Sequence, residues 1–327
     1  MDNLTHTAVG LFLSRAGLNR WTPRATAILI LAANAPDIDV AAAIGGPVSY
    51  LHYHRNLTHA IIAIPVMALL SVALVRLFSR KPLLWGWAFA AAMIGVASHL
   101  MLDYTNGYGI RLLLPFSPSF YRLEWTGVID PWIGAAFLLA IAAPFLARLV
   151  GTEITSGSAK QRYPGRGWPI FALGFVLLYN GARSVWHARA IGELQSRIYQ
   201  GETPLRVAAV PTANPLRWRG IVETRGFYAL PEMNLTQPFD PDRARILHKP
   251  QSDPAMYVAK PTRPFQVMLR FAEFPLWSAV PAEQPENAKQ VSLTDVRFMG
   301  WGPTAIVSST GRILRTWFQL GDGQRPR

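Results

Sequence analysis

Five of the seven histidines lie in the first 103 residues, and they stand beside aspartates inside segments otherwise apolar enough to cross a bilayer. An ionisable side chain in hydrocarbon costs several kcal/mol, roughly 2.5–3.5 on insertion scales. A chain that repeats this cost with residue types that ligate metals is predicted to build a metal site. The candidate ligands are His6, Asp37, His54, His59, His99 and Asp103.

The strongest single pair is His99 and Asp103, four residues apart in an apolar segment. A helix places residues at this spacing on one face, as in helical metal sites. The alternative is a hydrogen bond between the two that closes a helix end, and the spacing alone leaves both open. His6, which follows Thr5 at the start of the first helix, is a weak signal by itself.

A second group, Asn34-Ala-Pro-Asp37-Ile-Asp39, interrupts another apolar segment. Pro36 removes a backbone donor, and both aspartates could then point into a bundle interior as ligands. The alternative is a helix end that leaves the membrane. It explains one aspartate better than two, because an apolar run follows Asp39.

The third group opens the next segment with His54, Arg55, Thr58 and His59. Five residues on a helix separate the two histidines by about 140°, so a loop-to-helix junction would be needed for both to converge. Arg55 can bind a phosphate or carboxylate through two hydrogen bonds, and Thr58 is placed as an N-cap. The alternative is an interfacial cluster in which Arg55 meets lipid head groups.

The ligand types restrict the metal. The chain has no cysteine, so nitrogen and oxygen atoms must hold a divalent ion, zinc first, with manganese and iron as alternatives. One or two ions could be held. Asp39 or Asp103 could act as a base where it is not a ligand, and Arg55 could hold an anionic substrate. These three are therefore the candidate catalytic residues.

The elements that must position these residues are long apolar segments. A short helix is predicted over 4–18, and spans long enough for the roughly 30 Å hydrocarbon core over 25–44, 57–79, 83–103, 128–150 and 168–186. The predicted fold is therefore mainly α, a polytopic membrane helical bundle of about six helical passes, the first short. Residues 1–186 form the membrane-embedded domain, and residues 187–327 form a β-rich extramembrane domain.

The predicted β-rich domain follows from short β-prone runs separated by proline-rich turns. The runs are Leu205–Val210, Ile221–Thr224, Phe265–Phe271, Val291–Met299, Ala305–Ser308 and Ile313–Phe318. Residues 152–167 are predicted to form a cytoplasmic linker. Asp130-Pro131, at the start of the fifth pass, is interpreted as a helix cap.

Basic residues predict the topology. Three turns between the helices hold ten of them, whereas the loops on the other side hold Arg55, Arg111 and Arg122. The positive-inside rule then places the three basic turns in the cytoplasm and the C-terminal domain in the periplasm. The candidate ligands all fall at the outer ends of their helices in this arrangement.

The formal charge of +13 does not indicate a nucleic-acid partner. Residues 1–182 hold 13 Lys and Arg against 7 Asp and Glu, and the remainder holds 19 against 12. Neither half concentrates this charge in a recognition motif. Anionic phospholipid head groups explain a diffuse basic surface equally well.

Four ordered motifs resemble the bacterial inner-membrane YdjM-like family, whose members are described as metal-dependent hydrolases. They are Leu-Thr-His6-x3-Gly10, Asn34-x2-Asp37-x-Asp39, His54-Arg-x2-Thr-His59 and His99-x3-Asp103-x-Thr105-x2-Tyr-Gly109. The resemblance covers roughly residues 1–145 and implies that the matching His and Asp residues bind metal. One departure is Ala60, where the family usually has a serine.

The predicted function is metal-dependent hydrolysis at the outer bilayer surface of the inner membrane, on a lipid or another amphipathic, lipid-linked substrate. One rival is a metal-ion or proton-coupled transporter, which would need polar residues at several depths. Another is a sensor or assembly factor with a structural metal. Trp218 or Arg297 would then matter more than His59.

Overall fold

The computed structural model describes residues 1–79, 81–154 and 165–320, with the backbone alone over 147–154 and 319–320. Most of the linker predicted over 152–167 lies outside these residues, as do Arg80, Lys160 and Arg162. The described chain divides into two compact units. The helical unit contains Met1–Asp39, Arg55–His187 and Pro211–Pro215, and the β-rich unit contains Val40–His54, Ala188–Val210 and the chain from Leu216 onward.

Helices dominate the first half of the chain. They are α1 (Asn3–Ala16), α2 (Ala25–Asn34), α3 (Pro47–Tyr53), α4 (Ile64–Phe78), α5 (Trp85–Tyr104), α6 (Pro131–Ile154) and α7 (Gly167–Gln195). Short 3-10 segments lie between them at Leu18–Arg20, Ala35–Gly45, Leu57–His59 and Ile61–Ala63. The prediction of a helical N-terminal region is therefore confirmed.

Three segments of the described chain are long and apolar enough to cross a membrane: Ala25–Gly45, Ile61–Phe78 and Trp85–Tyr104. The apolar part of α6, Pro131–Leu146, is shorter. The structure contains helices where the remaining passes are predicted, but their length and composition do not confirm about six passes. That number stays a prediction.

Small residues let the helices that carry the site approach closely. A Cβ atom on Gly10 of α1 would lie 2.7 Å from the carbonyl oxygen of Leu29 in α2, and one on Gly95 of α5 would lie 2.8 Å from Cβ of Ala32. Close backbone approach through glycine and alanine is the usual packing mode of membrane helices. It places α2 directly between α1 and α5.

Two apolar clusters complete the helical unit. One joins α2, α4 and α5 through buried residues that include Ile28, Val72 and Val96. The other joins α1, α6 and α7 and includes Phe12 and Phe137, whose ring centroids are 5.1 Å apart. These clusters fix the axial positions of the helices, and with them the positions of the polar residues at the helix ends.

The β-rich unit contains two sheets. The strands are β1 (Arg206–Pro211), β2 (Arg217–Glu223), β3 (Phe227–Leu230), β4 (Glu232–Asn234), β5 (Arg245–His248), β6 (Pro275–Pro281), β7 (Lys289–Asp295), β8 (Trp301–Val307) and β9 (Ile313–Leu320). The first sheet has the order β1-β2-β3-β5, with β4 paired to β2, and the second has the order β6-β7-β8-β9. The prediction of a C-terminal β-sheet domain is confirmed.

One predicted strand in this unit is wrong. Phe265–Phe271 lies in helix α9 (Arg263–Phe271), which follows the short helix α8 (Pro254–Ala259). The buried residues Phe265, Met268 and Phe271 recur at the helical spacing of three, and Pro264 stands in the first turn. β-prone residue types concealed this period. The boundary predicted at residues 186 and 187 is not tested by the fold, and helix α7 continues through it.

Candidate metal centre

Helix α5 presents His99 and Asp103 on one buried face, as their spacing predicts; both side chains are fully buried. The Nδ1 atom of His99 lies 2.7 Å from the carbonyl oxygen of Ala33. A carbonyl oxygen only accepts hydrogen bonds, so Nδ1 carries a proton, and in the neutral imidazole Nε2 then keeps its lone pair. The neutral ring is therefore oriented as a ligand.

His59 is oriented in the same way by a carboxylate. Its Nδ1 atom lies 3.1 Å from Oδ2 of Asp39. The same Oδ2 accepts hydrogen bonds from the Thr58 hydroxyl at 2.7 Å and from the Arg55 backbone N–H at 2.9 Å. A His–carboxylate pair of this kind fixes the tautomer of a metal-bound imidazole, so Nε2 of His59 points away with its lone pair.

Four ligand atoms converge where these rings meet. The Nε2 atoms of His59 and His99 are 3.1 Å apart. Oδ1 of Asp37 lies 3.4 and 3.6 Å from them, and Oδ2 of Asp103 lies 3.4 and 3.5 Å from them. Zinc bonds of 2.0–2.2 Å in a tetrahedron require ligand atoms about 3.3–3.6 Å apart. The four imidazole–carboxylate distances lie in this range, the two Nε2 atoms are slightly closer, and all four atoms lie within 4.8 Å of one another, so the group could hold a divalent ion.

The electrostatics of this group also favour a bound cation. The Nε2 lone pairs of His59 and His99 face each other, and one carboxylate oxygen each from Asp37 and Asp103 completes the group of four atoms. Oδ2 of Asp103 is buried and accepts no hydrogen bond within the described residues. Buried polar atoms in proteins are nearly always satisfied by a partner. A bound metal ion would satisfy all four atoms at once.

The other oxygen of Asp103 is held by positive charge. Its Oδ1 accepts a hydrogen bond of 3.0 Å from Nη2 of Arg55 and contacts the Met1 amino group. Nη1 of Arg55 donates to Oδ1 of Asn106 at 3.0 Å, and the Tyr108 ring lies 4.9 Å from the guanidinium carbon. This arrangement orients Asp103 and leaves Oδ2 to face Nε2 of His59 and of His99.

The backbone at Arg55 is built for this contact. Its φ of 54° lies in the left-handed region that residues other than glycine rarely adopt. That conformation lets the N–H reach Asp39 while the buried side chain reaches Asp103. Residues held in such conformations cluster at functional sites.

His6 lies beside the four ligands. Asp2 caps helix α1 by accepting hydrogen bonds from the backbone N–H groups of Leu4 and Thr5, which places His6 in the first turn. The His6 ring stacks on His99 with centroids 3.8 Å apart, and its Nε2 lies 3.4 Å from Oδ1 of Asp103. Neither ring nitrogen makes a hydrogen bond within the described residues. His6 thus lies at the edge of this group of four, and the metal role predicted for it stays a prediction.

His54 differs from the other predicted ligands, because it belongs to the β-rich unit. It follows helix α3, and its ring stacks on Tyr50 with centroids 4.5 Å apart. The metal role predicted for it stays a prediction.

Thr58 is not the N-cap of α4, because it lies in a 3-10 turn and its hydroxyl binds Asp39. Asp130 does cap α6, through hydrogen bonds from the N–H groups of Trp132 and Ile133.

Two contributors to the site were missed from the sequence. Asn106 is fully buried; its amide nitrogen donates to Asp103 and its oxygen accepts from Arg55. Its position three residues after Asp103, before Gly107 and Gly109, was a usable signal for a turn that returns to the helix end. Ala33 contributes only its backbone carbonyl oxygen, so its residue type does not indicate this role.

The fold and this centre define a class: a membrane protein whose helical region contains a buried His/Asp cluster that could hold a metal ion. The model of the YdjM inner membrane protein family matches residues 1–190. The chain therefore belongs to the YdjM inner membrane protein family, and the resemblance found in its motifs is confirmed.

Two relatives extend this result. The chain is similar to the uncharacterized protein YfhP of Bacillus subtilis, with 30% identity over 153 residues, which cover 43% of this chain and 46% of YfhP. It is also similar to the inner membrane protein YbcI of Escherichia coli, with 31% identity over 126 residues, which cover 37% of this chain and 72% of YbcI. The chain thus spans about half the length of YfhP. No solved structure matches it.

Proposed function

We propose that this protein is a membrane-embedded, metal-dependent hydrolase that acts on a lipid or lipid-linked substrate at the outer surface of the inner membrane. The observation that carries the proposal is the convergence of two imidazole nitrogens and two carboxylate oxygens in a buried site, where each nitrogen lies 3.1–3.6 Å from the other three atoms and all four lie within 4.8 Å of one another. Nitrogen and oxygen ligands of this type favour zinc, with manganese and iron as alternatives.

In this proposal Asp37, His59, His99 and Asp103 hold the ion, and His6 supplies a further ligand. When bound, a divalent ion would polarise the scissile group as a Lewis acid and would lower the pKa of a water molecule toward about 7. The protein side chains supply position and charge balance. Asp39 orients His59, and Arg55 orients Asp103.

These contacts sharpen the roles proposed for the catalytic residues. Oδ2 of Asp39 already faces three donors, so we assign it to positioning His59 rather than to proton transfer. Asp103 acts as a ligand through Oδ2. Arg55 is 3% exposed and its guanidinium binds protein oxygens, so it would contact an anionic substrate only by exchanging one of them.

The chain neighbours of the ligands support an amphipathic substrate. Ile38 follows Asp37 and is 65% exposed, and Leu57 and Ile61 flank His59 and are 57% and 50% exposed. Exposed apolar side chains of this kind are typical of membrane interaction sites. A lipid could then present its polar bond to the centre while its acyl chains stay in the bilayer.

The test is hydrolysis by the purified full chain, reconstituted in vesicles of phosphatidylglycerol, phosphatidylethanolamine and phosphatidylcholine with added Zn²⁺ and analysed by lipid mass spectrometry. We expect product formation that a chelator abolishes and that His99→Ala and Asp37→Asn reduce at least a hundredfold. His248→Ala, a histidine of strand β5, is the matched control and should keep full activity.

Two results would contradict the proposal. One is product formation that is equal in the wild type, His99→Ala and Asp37→Asn. The other is metal uptake across the vesicle membrane that requires His99, with no hydrolysis of phospholipids or of lipid-linked sugars extracted from bacterial membranes. The second result would favour transport.

A further inference from the structure

A cavity of about 580 Å³ lies in the helical unit between α1, α6 and α7. Its lining includes the side of α1 at Arg15, the last turn of that helix, whereas His6 lies in the first turn. The cavity is therefore separate from the metal centre. We refer to it as the basic cavity, because three arginines line it: Arg15, Arg20 and Arg166.

No acidic side chain compensates the three guanidinium groups among the described residues that line the cavity. All three arginines are exposed, and none makes an ion pair or a side-chain hydrogen bond within the described residues. The Arg166 guanidinium lies over the end of α1, since a Cβ on Gly17 would lie 3.2 Å from its Cζ. Like charges lining one cavity repel each other unless an anion neutralises them. The composition of the cavity thus favours an anionic occupant.

The wall beneath these charges is apolar. It includes Phe12 of α1, which packs on Phe137, and Ile141 and Phe145 of α6. Ile141 is 48% exposed and Phe145 is 62% exposed. A small free anion would gain nothing from an apolar wall. An acyl chain would pack against it and remove apolar area from water.

Arg15 lies at the end of α1, and Arg20 and Arg166 lie in segments between helices; the positive-inside rule assigns all three to the cytoplasmic side. The cytoplasmic leaflet carries the anionic lipids, and basic pockets between membrane helices bind their head groups. Guanidinium groups match phosphate oxygens through paired hydrogen bonds. Charge, apolar wall and predicted side of the membrane therefore agree on one occupant.

We propose that the basic cavity binds an anionic phospholipid, with its phosphodiester at Arg15, Arg20 and Arg166 and an acyl chain along Phe12, Ile141 and Phe145. In this proposal the cavity binds lipid without hydrolysing it, so the proposal is independent of the hydrolase function proposed above. Loss of the metal centre would leave it intact.

The test uses the full chain in a non-ionic detergent and measures bound lipid by native mass spectrometry, with phosphatidylglycerol and phosphatidylcholine of equal chain length. We expect one phosphatidylglycerol bound at least tenfold more tightly than phosphatidylcholine. The variant R15Q/R20Q/R166Q should weaken phosphatidylglycerol binding at least tenfold. The control R225Q/R245Q/R312Q removes the same charge from exposed positions of the β-rich unit and should bind like the wild type.

Two further measurements distinguish binding of the whole lipid from binding of its phosphate group alone. Inorganic phosphate at millimolar concentration should not displace the lipid, and Ile141→Ser should weaken binding severalfold. If the triple variant unfolds, Arg20→Glu, at the exposed end of a 3-10 turn, replaces it. Equal binding by the wild type and these arginine variants would overturn the proposal. The proposal would also be overturned if inorganic phosphate displaced phosphatidylglycerol at the concentration at which phosphate alone binds the protein. That result would indicate a simple anion site.

Discussion

The two units of this protein bury ionisable side chains in opposite ways. In the β-rich unit, Asp295 and Arg297 are almost fully buried and satisfy each other. Nη2 of Arg297 donates to Oδ2 of Asp295 at 2.7 Å, and the backbone N–H groups of Glu273 and Arg297 donate to the same carboxylate at 2.9 Å. No buried side-chain atom of Asp295 or Arg297 lacks a hydrogen-bond partner in the described structure, so this pair needs no bound ligand.

In the helical unit, the buried carboxylates and imidazoles present acceptors to one another. Oδ2 of Asp103 faces two imidazole nitrogens that have lone pairs, and no described donor reaches it. A buried acceptor without a donor is costly, whereas a buried pair with donors matched to acceptors is complete. The number of buried charges therefore does not identify a site. The mismatch between donors and acceptors does.

The largest effect is expected where the complete pair is broken. Arg297→Met leaves Asp295 buried without its cation and should lower the free energy of unfolding of the β-rich unit by about 3–5 kcal/mol. The measurement is chemical unfolding of the full chain in detergent, followed by tryptophan fluorescence. Asp295→Leu combined with Arg297→Met should recover much of the loss. No loss in the single variant would show that the pair is not what stabilises this unit.

A smaller effect is expected for the group that orients a ligand. Asp39→Asn removes the carboxylate that fixes the His59 tautomer and should weaken metal affinity about 10–100-fold without unfolding the protein. Competition with a chelator of known affinity measures the change. Asp240→Asn, at an exposed cap of the β-rich unit, is the control. Unchanged affinity in Asp39→Asn would remove Asp39 from the account of the site.

The smallest effect concerns pH. Burial raises the pKa of Glu223, but hydrogen bonds from Lys249 and Arg206 outweigh it and hold that pKa below its ordinary value of 4.5. A lowered folded-state pKa contributes stability that is complete above the ordinary value and is lost as the pH falls through the folded value. The stability difference between the wild type and Glu223→Gln should therefore be constant from pH 8 to 5 and shrink below 4.5. A difference that grows on acidification would contradict this assignment.

Much of the candidate metal centre could be predicted from the sequence, because the residues that meet there are recognisable by type. His99 and Asp103 share a helix face at a spacing that is readable directly, and aspartates in an apolar run are conspicuous. The partners that orient them were not predictable. The Ala33 carbonyl has no signature, and the left-handed turn at Arg55 depends on contacts with residues far away in the chain.

The fold shows the same limit. Long apolar segments predicted the helices of the first half, and short β-prone runs predicted most of the sheets. The error at Phe265–Phe271 arose where β-prone residues follow a helical period, which tertiary packing against the sheet reinforces. The number of membrane passes depends on α6 and α7, whose apolar lengths do not decide it.

The most direct test of the account is the metal content of the detergent-purified full chain, measured by elemental mass spectrometry for the wild type, His99→Ala, Asp103→Asn and the control His248→Ala. Circular dichroism confirms that each protein is folded. The account predicts one or two equivalents of a divalent metal, zinc first, in the wild type and the control, and loss of that metal from both site variants. A folded wild type that contains no metal and cannot be loaded with zinc, manganese or iron would contradict it.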